Sequence, residues 1–245
     1  MNNLFFSFIV TSIAGFSTLL GCLIVLFKDN NKKKIISYSL MFSSSIMLYI
    51  SILDLIPNGY NYISKIYNPI VSMLIISIFI LGGFFFTRFI DNFLIKNDNN
   101  LYKVGIISML ALIIHNIPEG IITFLTTTKD IKIGLSLSIS IALHNIPEGI
   151  SIFVPIYYST NSKLKAFLYT FIAGFSEVMG AILSYLFLYK YANNYFFAFI
   201  FSLTAGIMIY ISCIELIPES IKTNKNKLYI PFILGIVIMT LSELI

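Results

Sequence analysis

The sequence predicts an all-α integral membrane protein of eight transmembrane helices, and three observations carry that expectation. Of the 245 residues, 58% are hydrophobic and only 11% are charged, whereas an ordinary soluble domain carries about a quarter charged residues. The apolar residues fall in runs long enough to cross a bilayer, which takes about 20 residues per helix. The connectors between the runs are short, so these residues leave no room for a separate soluble catalytic or DNA-binding domain.

In chain order, the runs put spans at 4–27, 35–57, 69–90, 104–128, 133–157, 165–189, 195–218 and 228–244, together one transmembrane domain over residues 1–245. The first run exceeds the about 7–15 apolar residues of a signal peptide, and Met1, Asn2 and Asn3 supply no positive flank. Helix 2 is expected to end at Asp54-Leu55-Ile56-Pro57 and helix 7 at Glu215-Leu216-Ile217-Pro218, with proline as the terminator. Twelve of the sixteen Lys and Arg residues lie in the connectors after helices 1, 3, 5 and 7. Because positive connectors stay in the cytoplasm, both termini are expected outside. The net charge of +5 is spread singly or in short clusters between apolar runs, so it reports topology rather than nucleic-acid contact. Cys22 and Cys213 lie far apart inside apolar runs and form neither a disulfide framework nor a CxxC metal site.

An ionisable side chain near the centre of a membrane helix costs about 2.5–3.5 kcal/mol, so each one needs a partner or a task. The two histidines, His115 and His144, stand near the middle of helices 4 and 5. Each opens the same heptapeptide, His-Asn-Ile-Pro-Glu-Gly-Ile, at 115–121 and 144–150. Successive helices run in opposite directions, so the copies are related by inverted topology and meet near the midplane. Helical spacing puts His115, Asn116 and Glu119 on one side of helix 4, and His144, Asn145 and Glu148 on one side of helix 5. Pro118 and Pro147 cannot donate to the carbonyls of Ile114 and Leu143, which predicts kinks that open backbone oxygen at the site.

Two imidazoles, two amide oxygens and two carboxylates suit a borderline divalent ion such as Zn, Fe, Co, Ni or Mn, and the lack of thiolates disfavours Cu(I). Glu177 in helix 6, flanked by Gly174, Ser176 and Gly180, adds a third intramembrane carboxylate on a helix that neighbours can approach closely. Three unpaired carboxylates cost about 9 kcal/mol together, and two divalent ions offset their charge, so a binuclear site is electrostatically reasonable. Asp54 and Glu215 are candidates for the outer and inner mouths of a path. Hydrogen-bonded glue between helices requires neither matched histidines nor matched glutamates. Asp29, Asp91, Asp98, Asp130, Glu219 and Glu243 read as solvated or interfacial charges, and Met47 and Met208 as packing residues.

The paired motifs on helices 4 and 5 resemble those of the ZIP (Zrt-, Irt-like) divalent metal transporters, in particular their bacterial ZupT-like branch, and the likeness extends over the whole chain in helix count and motif placement. The resemblance implies a 3+2+3 inverted-repeat arrangement with a binuclear centre between helices 4, 5 and 6. One ion would be held by His115, Glu119, His144 and Glu148, the second by Asn116, Asn145 and Glu177, with Glu119 and Glu148 bridging. It also implies inward transport of Zn, with Fe, Mn, Co or Cd as further substrates, across a bacterial plasma membrane. Helices 1, 4, 5 and 6 would move elevator-like against 2, 3, 7 and 8, in a homodimer. Two departures stand out: the connector between helices 3 and 4 is short and lacks His, and Val178 follows Glu177 where the branch has proline. The alternative, an intramembrane metal-dependent hydrolase, needs an open coordination position and a separate general base. No HExxH motif is present, and every candidate carboxylate is already a ligand. A transporter rather than an enzyme is therefore expected, with divalent metal ions and the lipid bilayer as partners.

Overall fold

A computed structural model of the chain describes residues 2–26, 31–94, 100–187 and 193–242, which are helical nearly throughout, with no strand among them. Lys28, Asp29, Lys96, Asp98, Lys190 and Glu243 lie outside the described residues. Helix α1 is α-helical over Asn2–Ser17 and continues as a 3-10 helix over Thr18–Leu26. It is followed by α2 (Lys32–Ile63), α3 (Pro69–Leu94), α4 (Asn100–Lys129) and α5 (Ile131–Thr160). Then come α6 (Lys163–Leu186), α7 (Asn194–Thr223) and α8 (Tyr229–Ser242). Seven of these are long and apolar enough to cross a membrane. The 14 residues of α8 rise about 21 Å, short of a hydrocarbon layer about 30 Å thick.

Turn chemistry sets the depth of the two heptapeptides. Asp130 alone joins α4 to α5, and its carboxylate caps α5 by accepting from the backbone N–H groups of Lys132 at 2.9 Å and Ile133 at 3.1 Å. His115 lies fifteen residues before this turn and His144 fourteen after it. The hairpin therefore brings both motifs to the same level, about 22 Å along either helix. At the other end of α5, Asn161 adopts the left-handed conformation at φ 53°, and Ser162 accepts from the Lys165 N–H at 3.2 Å to start α6. Helices α4 and α5 remain α-helical through Pro118, Pro147 and Pro155, and the Pro147 carbonyl accepts from the Ser43 hydroxyl of α2 at 2.6 Å.

Pro57 and Pro218 do not end their helices, which corrects the boundaries expected from the sequence. Helix α2 passes from Lys32–Ile50 through a π-helical turn, Ser51–Leu55, into Ile56–Ile63. Helix α7 passes from Asn194–Tyr210 through a second such turn, Ile211–Leu216, into Ile217–Thr223. Proline lacks an N–H and its ring crowds the turn before it. Widening that turn to i→i+5 spacing relieves the crowding, and the helix runs on. Asp54 and Glu215 sit at equivalent places in the two widened turns, each three residues before its proline.

Close backbone contacts sort the helices into two groups. Among α1, α4, α5 and α6, Gly120 of α4 lies against the Glu177 backbone of α6, and Gly180 of α6 against that of Ile117 in α4. Gly149 of α5 meets the Thr18 carbonyl of α1, and Gly15 and Gly174 face each other. Among α2, α3, α7 and α8, Gly83 meets the Leu203 backbone, Gly206 meets that of Ile80, and Gly235 meets Ser45. None of the thirteen glycines makes its nearest approach across the two groups. Where side chains are absent, helices approach more closely than lipid or bulky residues allow. The larger apolar core, with Leu40, Met47, Ile152, Ile156, Ile207 and Met208 fully buried, draws on both groups. Met47 and Met208 are thus packing residues, as expected.

Replacing Asp130 with alanine removes the α5 cap, which costs about 1 kcal/mol, or about 2–4 °C in Tm for a chain of this size. Asp130→Asn keeps an acceptor and should hold the parent value. Thermal unfolding of the detergent-solubilised protein checks both variants.

Candidate metal centre

His115, Asn116 and Glu119 from α4, His144, Asn145 and Glu148 from α5, and Glu177 from α6 meet in one buried cluster, each 6% exposed or less. His115 Nε2 lies 3.2 Å from Glu119 Oε1 and 3.2 Å from Glu148 Oε1, while His144 Nε2 lies 3.1 Å from Glu119 Oε1. One donor atom each from His115, His144 and Glu148 fall within 4.8 Å of one another. Helical spacing of four puts His115 above Glu119 on α4, and the Asp130 turn supplies the opposing pair at the same depth.

Backbone carbonyls orient the two asparagines. Asn116 donates Nδ2–H to the Ala173 carbonyl of α6 at 3.0 Å. Asn145 donates to the Ala14 carbonyl of α1 at 2.8 Å and to Glu177 Oε2 at 2.8 Å. A carbonyl oxygen only accepts, and its second lone pair is available beside a helical hydrogen bond, so each contact commits the NH2 end and leaves Oδ1 free as an acceptor. Asn116 Oδ1, Asn145 Oδ1, Glu119 Oε2, both oxygens of Glu148 and Glu177 Oε1 are buried and make no hydrogen bond. Buried polar atoms are nearly always satisfied, and an unpaired buried carboxylate is far more costly than an unpaired neutral group. Two imidazoles, two amide oxygens and three carboxylates that leave so many acceptors over form a donor set matched to a borderline divalent cation.

The contribution of α1 is what sequence reasoning about helices 4, 5 and 6 misses. The available signal is an identical pentapeptide, Ile-Ala-Gly-Phe-Ser, at 13–17 in α1 and 172–176 in α6. In both copies the alanine carbonyl receives an asparagine from the heptapeptides, and the serine hydroxyl donates to that same carbonyl at 2.6 Å, Ser17 to Ala14 and Ser176 to Ala173. Beyond the pentapeptides the copies diverge, α1 tightening to a 3-10 helix at Thr18 while α6 stays α-helical to Leu186.

Asp54 and Glu215 do not join the cluster. Asp54 is half-buried and accepts from Asn58 Nδ2–H at 2.5 Å. Glu215 is buried and lines a separate cavity of about 280 Å³ with Lys103, Val104, Glu219 and Lys222. Asp91, expected as a solvated or interfacial charge, is instead buried: Lys103 Nζ lies 2.5 Å from its Oδ1, and the Tyr210 hydroxyl donates to its Oδ2 at 2.7 Å. Its place near a helix end carries no information about the α7 tyrosine that packs over it.

The chain is similar to known proteins along its length. The family model described as ZIP zinc transporter matches residues 95–243. The zinc transporter ZupT of Streptococcus mutans is 36% identical over 259 aligned residues, covering 99% of this chain and 98% of the relative. The zinc transporter ZupT of Oceanobacillus iheyensis is 37% identical, covering 100% and 99%, and that of Clostridium perfringens is 33% identical, covering 100% and 97%.

Glu177→Gln removes one of three like charges from a buried cluster. Without metal, the variant should unfold at a higher temperature than the parent, because mutual repulsion is relieved. With zinc, the parent should gain about 2.7 kcal/mol at a hundred times its Kd, and the variant less at the same concentration. Melting curves in chelator and in zinc read the two opposite signs.

Proposed function

This chain belongs to the ZIP family of zinc transporters, and from that premise we propose that it carries its metal into the cytoplasm by alternating access through a binuclear site of His115, Asn116, Glu119, His144, Asn145, Glu148 and Glu177. It is a multi-pass protein of a bacterial plasma membrane and a transporter of divalent metal rather than an enzyme. The observation that carries the proposal is the convergence of buried, unpaired donor atoms on one spot in the middle of α4, α5 and α6. His115, Glu119, His144 and Glu148 hold one ion. Asn116, Asn145 and Glu177 hold the second. Glu119 and Glu148 bridge, for which Glu119 is suited: Oε1 is within 3.2 Å of both imidazoles and Oε2 is unpaired. While bound, the ions neutralise carboxylates that lipid would otherwise penalise. Iron, manganese, cobalt and cadmium fit the same nitrogen and oxygen donors.

Three matched pairs of features support a 3+2+3 inverted repeat, and the Lys and Arg count of the connectors supports both termini outside. The shared pentapeptides pair α1 with α6, the shared heptapeptides pair α4 with α5, and the twin π-helical turns pair α2 with α7. Alternating access follows from the two groups of helices. The site rides on α4, α5 and α6, tied by glycine contacts to α1, while α2, α3, α7 and α8 are tied to one another. Between the groups lies mostly apolar surface, whose packing has no directional requirement. Polar contacts do cross it, Ser43 to the Pro147 carbonyl and Lys103 to Asp91. Asp54 and Glu215, each in a widened turn of the second group, serve the outer and inner mouths of the path.

Glu119→Ala and Glu148→Ala should each abolish zinc uptake into vesicles containing only the purified protein, at matched abundance. His144→Asp replaces a nitrogen donor by a charged oxygen, so zinc uptake should fall more than manganese uptake. Parent-level zinc uptake by Glu148→Ala would remove the basis of the site assignment. For topology, tags at either terminus should be cleaved by protease added to intact cells, and protection of either one contradicts an outward orientation.

A further inference from the structure

The surroundings of the centre are more symmetric than its ligands. Gly120 of α4 rests on the Glu177 backbone, and Gly149 of α5 rests in the same way on the Thr18 backbone. Gly180 of α6 meets the Ile117 carbonyl, and Gly21 of α1 meets the Ile146 carbonyl. Asn116 reaches the Ala173 carbonyl and Asn145 the Ala14 carbonyl. A Cβ added to Gly15 would lie 3.3 Å from Glu177 Oε2, and one added to Gly174 would lie 3.3 Å from Thr18 Oγ1. Thr18 directly follows its pentapeptide as Glu177 follows its own, and both side chains are fully buried.

Resting on the site proposed above, we infer that Thr18 occupies the ligand position of α1 that Glu177 occupies in α6, so that the centre has two equivalent places for a carboxylate beside the asparagine amides and fills only one. The Thr18 hydroxyl donates to the Gly15 carbonyl at 2.7 Å and adds no charge, which keeps the centre at three carboxylates. A fourth would match the four positive charges of two divalent ions and hold the second ion more tightly. Transport requires that an ion bind well enough to enter and weakly enough to leave. Thr18 is therefore the residue that tunes release, and α1 is a wall of the metal centre rather than a spacer against lipid. The backbones match as well: Gly120, against the Glu177 backbone, has its counterpart in Gly149, against that of Thr18.

The experiment moves the carboxylate across the symmetry axis. Zinc binding to the purified full-length protein is measured by calorimetry, and zinc uptake in vesicles, for the parent, Glu177→Thr, Thr18→Glu and the double variant Thr18→Glu with Glu177→Thr. Glu177→Thr should weaken zinc binding at least tenfold, and the double variant should recover to within about threefold of the parent. Thr18→Glu alone should bind zinc more tightly and turn over at least threefold more slowly. Thr18→Asp, with a shorter side chain, repeats the test if the longer one lowers abundance. A double variant that is folded and abundant yet as weak as Glu177→Thr overturns the equivalence of the two positions. Unchanged zinc binding in Glu177→Thr instead overturns the site assignment, and with it this inference.

Discussion

Glu119, Glu148 and Glu177 are buried together with almost no exposed surface, and their neighbours are arranged to meet that constraint. Two imidazoles approach Glu119 and Glu148 at 3.1–3.2 Å. Two asparagines turn their NH2 groups toward backbone carbonyls, Asn145 also donating to Glu177, so their oxygens add to the acceptors of the cluster. The arrangement is poorly self-satisfied and suited to a cation. It is also the reason that the surrounding helices are so closely drawn in, because a loose site would admit lipid against charge.

Close approach in a membrane needs small residues, and here they come in matched sets. The alanine and glycine of each Ile-Ala-Gly-Phe-Ser copy supply a carbonyl to one asparagine and a flat backbone to the opposing helix. Glycines in α4 and α5 seat the residues that follow those pentapeptides. The centre is thus built twice from the same short pieces and made asymmetric at one position, where threonine stands opposite glutamate.

The same use of glycine divides the molecule. Backbone-to-backbone contacts knit α1, α4, α5 and α6 together and, separately, α2, α3, α7 and α8. The boundary between them is filled by side chains such as Met47, Ile207 and Met208, whose packing has no directional requirement. Lys103 of α4 and Asp91 of α3 close across this boundary, and Tyr210 holds Asp91 from within the second group. A displacement of one helical turn, about 5.4 Å, would break that ion pair.

Hydropathy and two copies of His-Asn-Ile-Pro-Glu-Gly-Ile were enough to read the helix count and six buried polar side chains that share one level of α4 and α5, because each depends on local composition and on the fixed 3.6-residue geometry of the helix. The places where that reasoning fell short are those where a distant segment decides. Pro57 and Pro218 looked like terminators, yet a widened turn before each lets the helix continue. Asp91 looked interfacial until Tyr210 and Lys103 covered it. The pentapeptide shared by α1 and α6 was present in the sequence, but its meaning depends on Asn116 and Asn145 reaching it from other helices. By itself the sequence determined which residues carry nitrogen and oxygen donors and where along their helices they stand. Only the tertiary structure decided which backbone orients them and which position opposite Glu177 carries no charge, since helices pack through contacts between residues far apart in the chain, which no local pattern encodes.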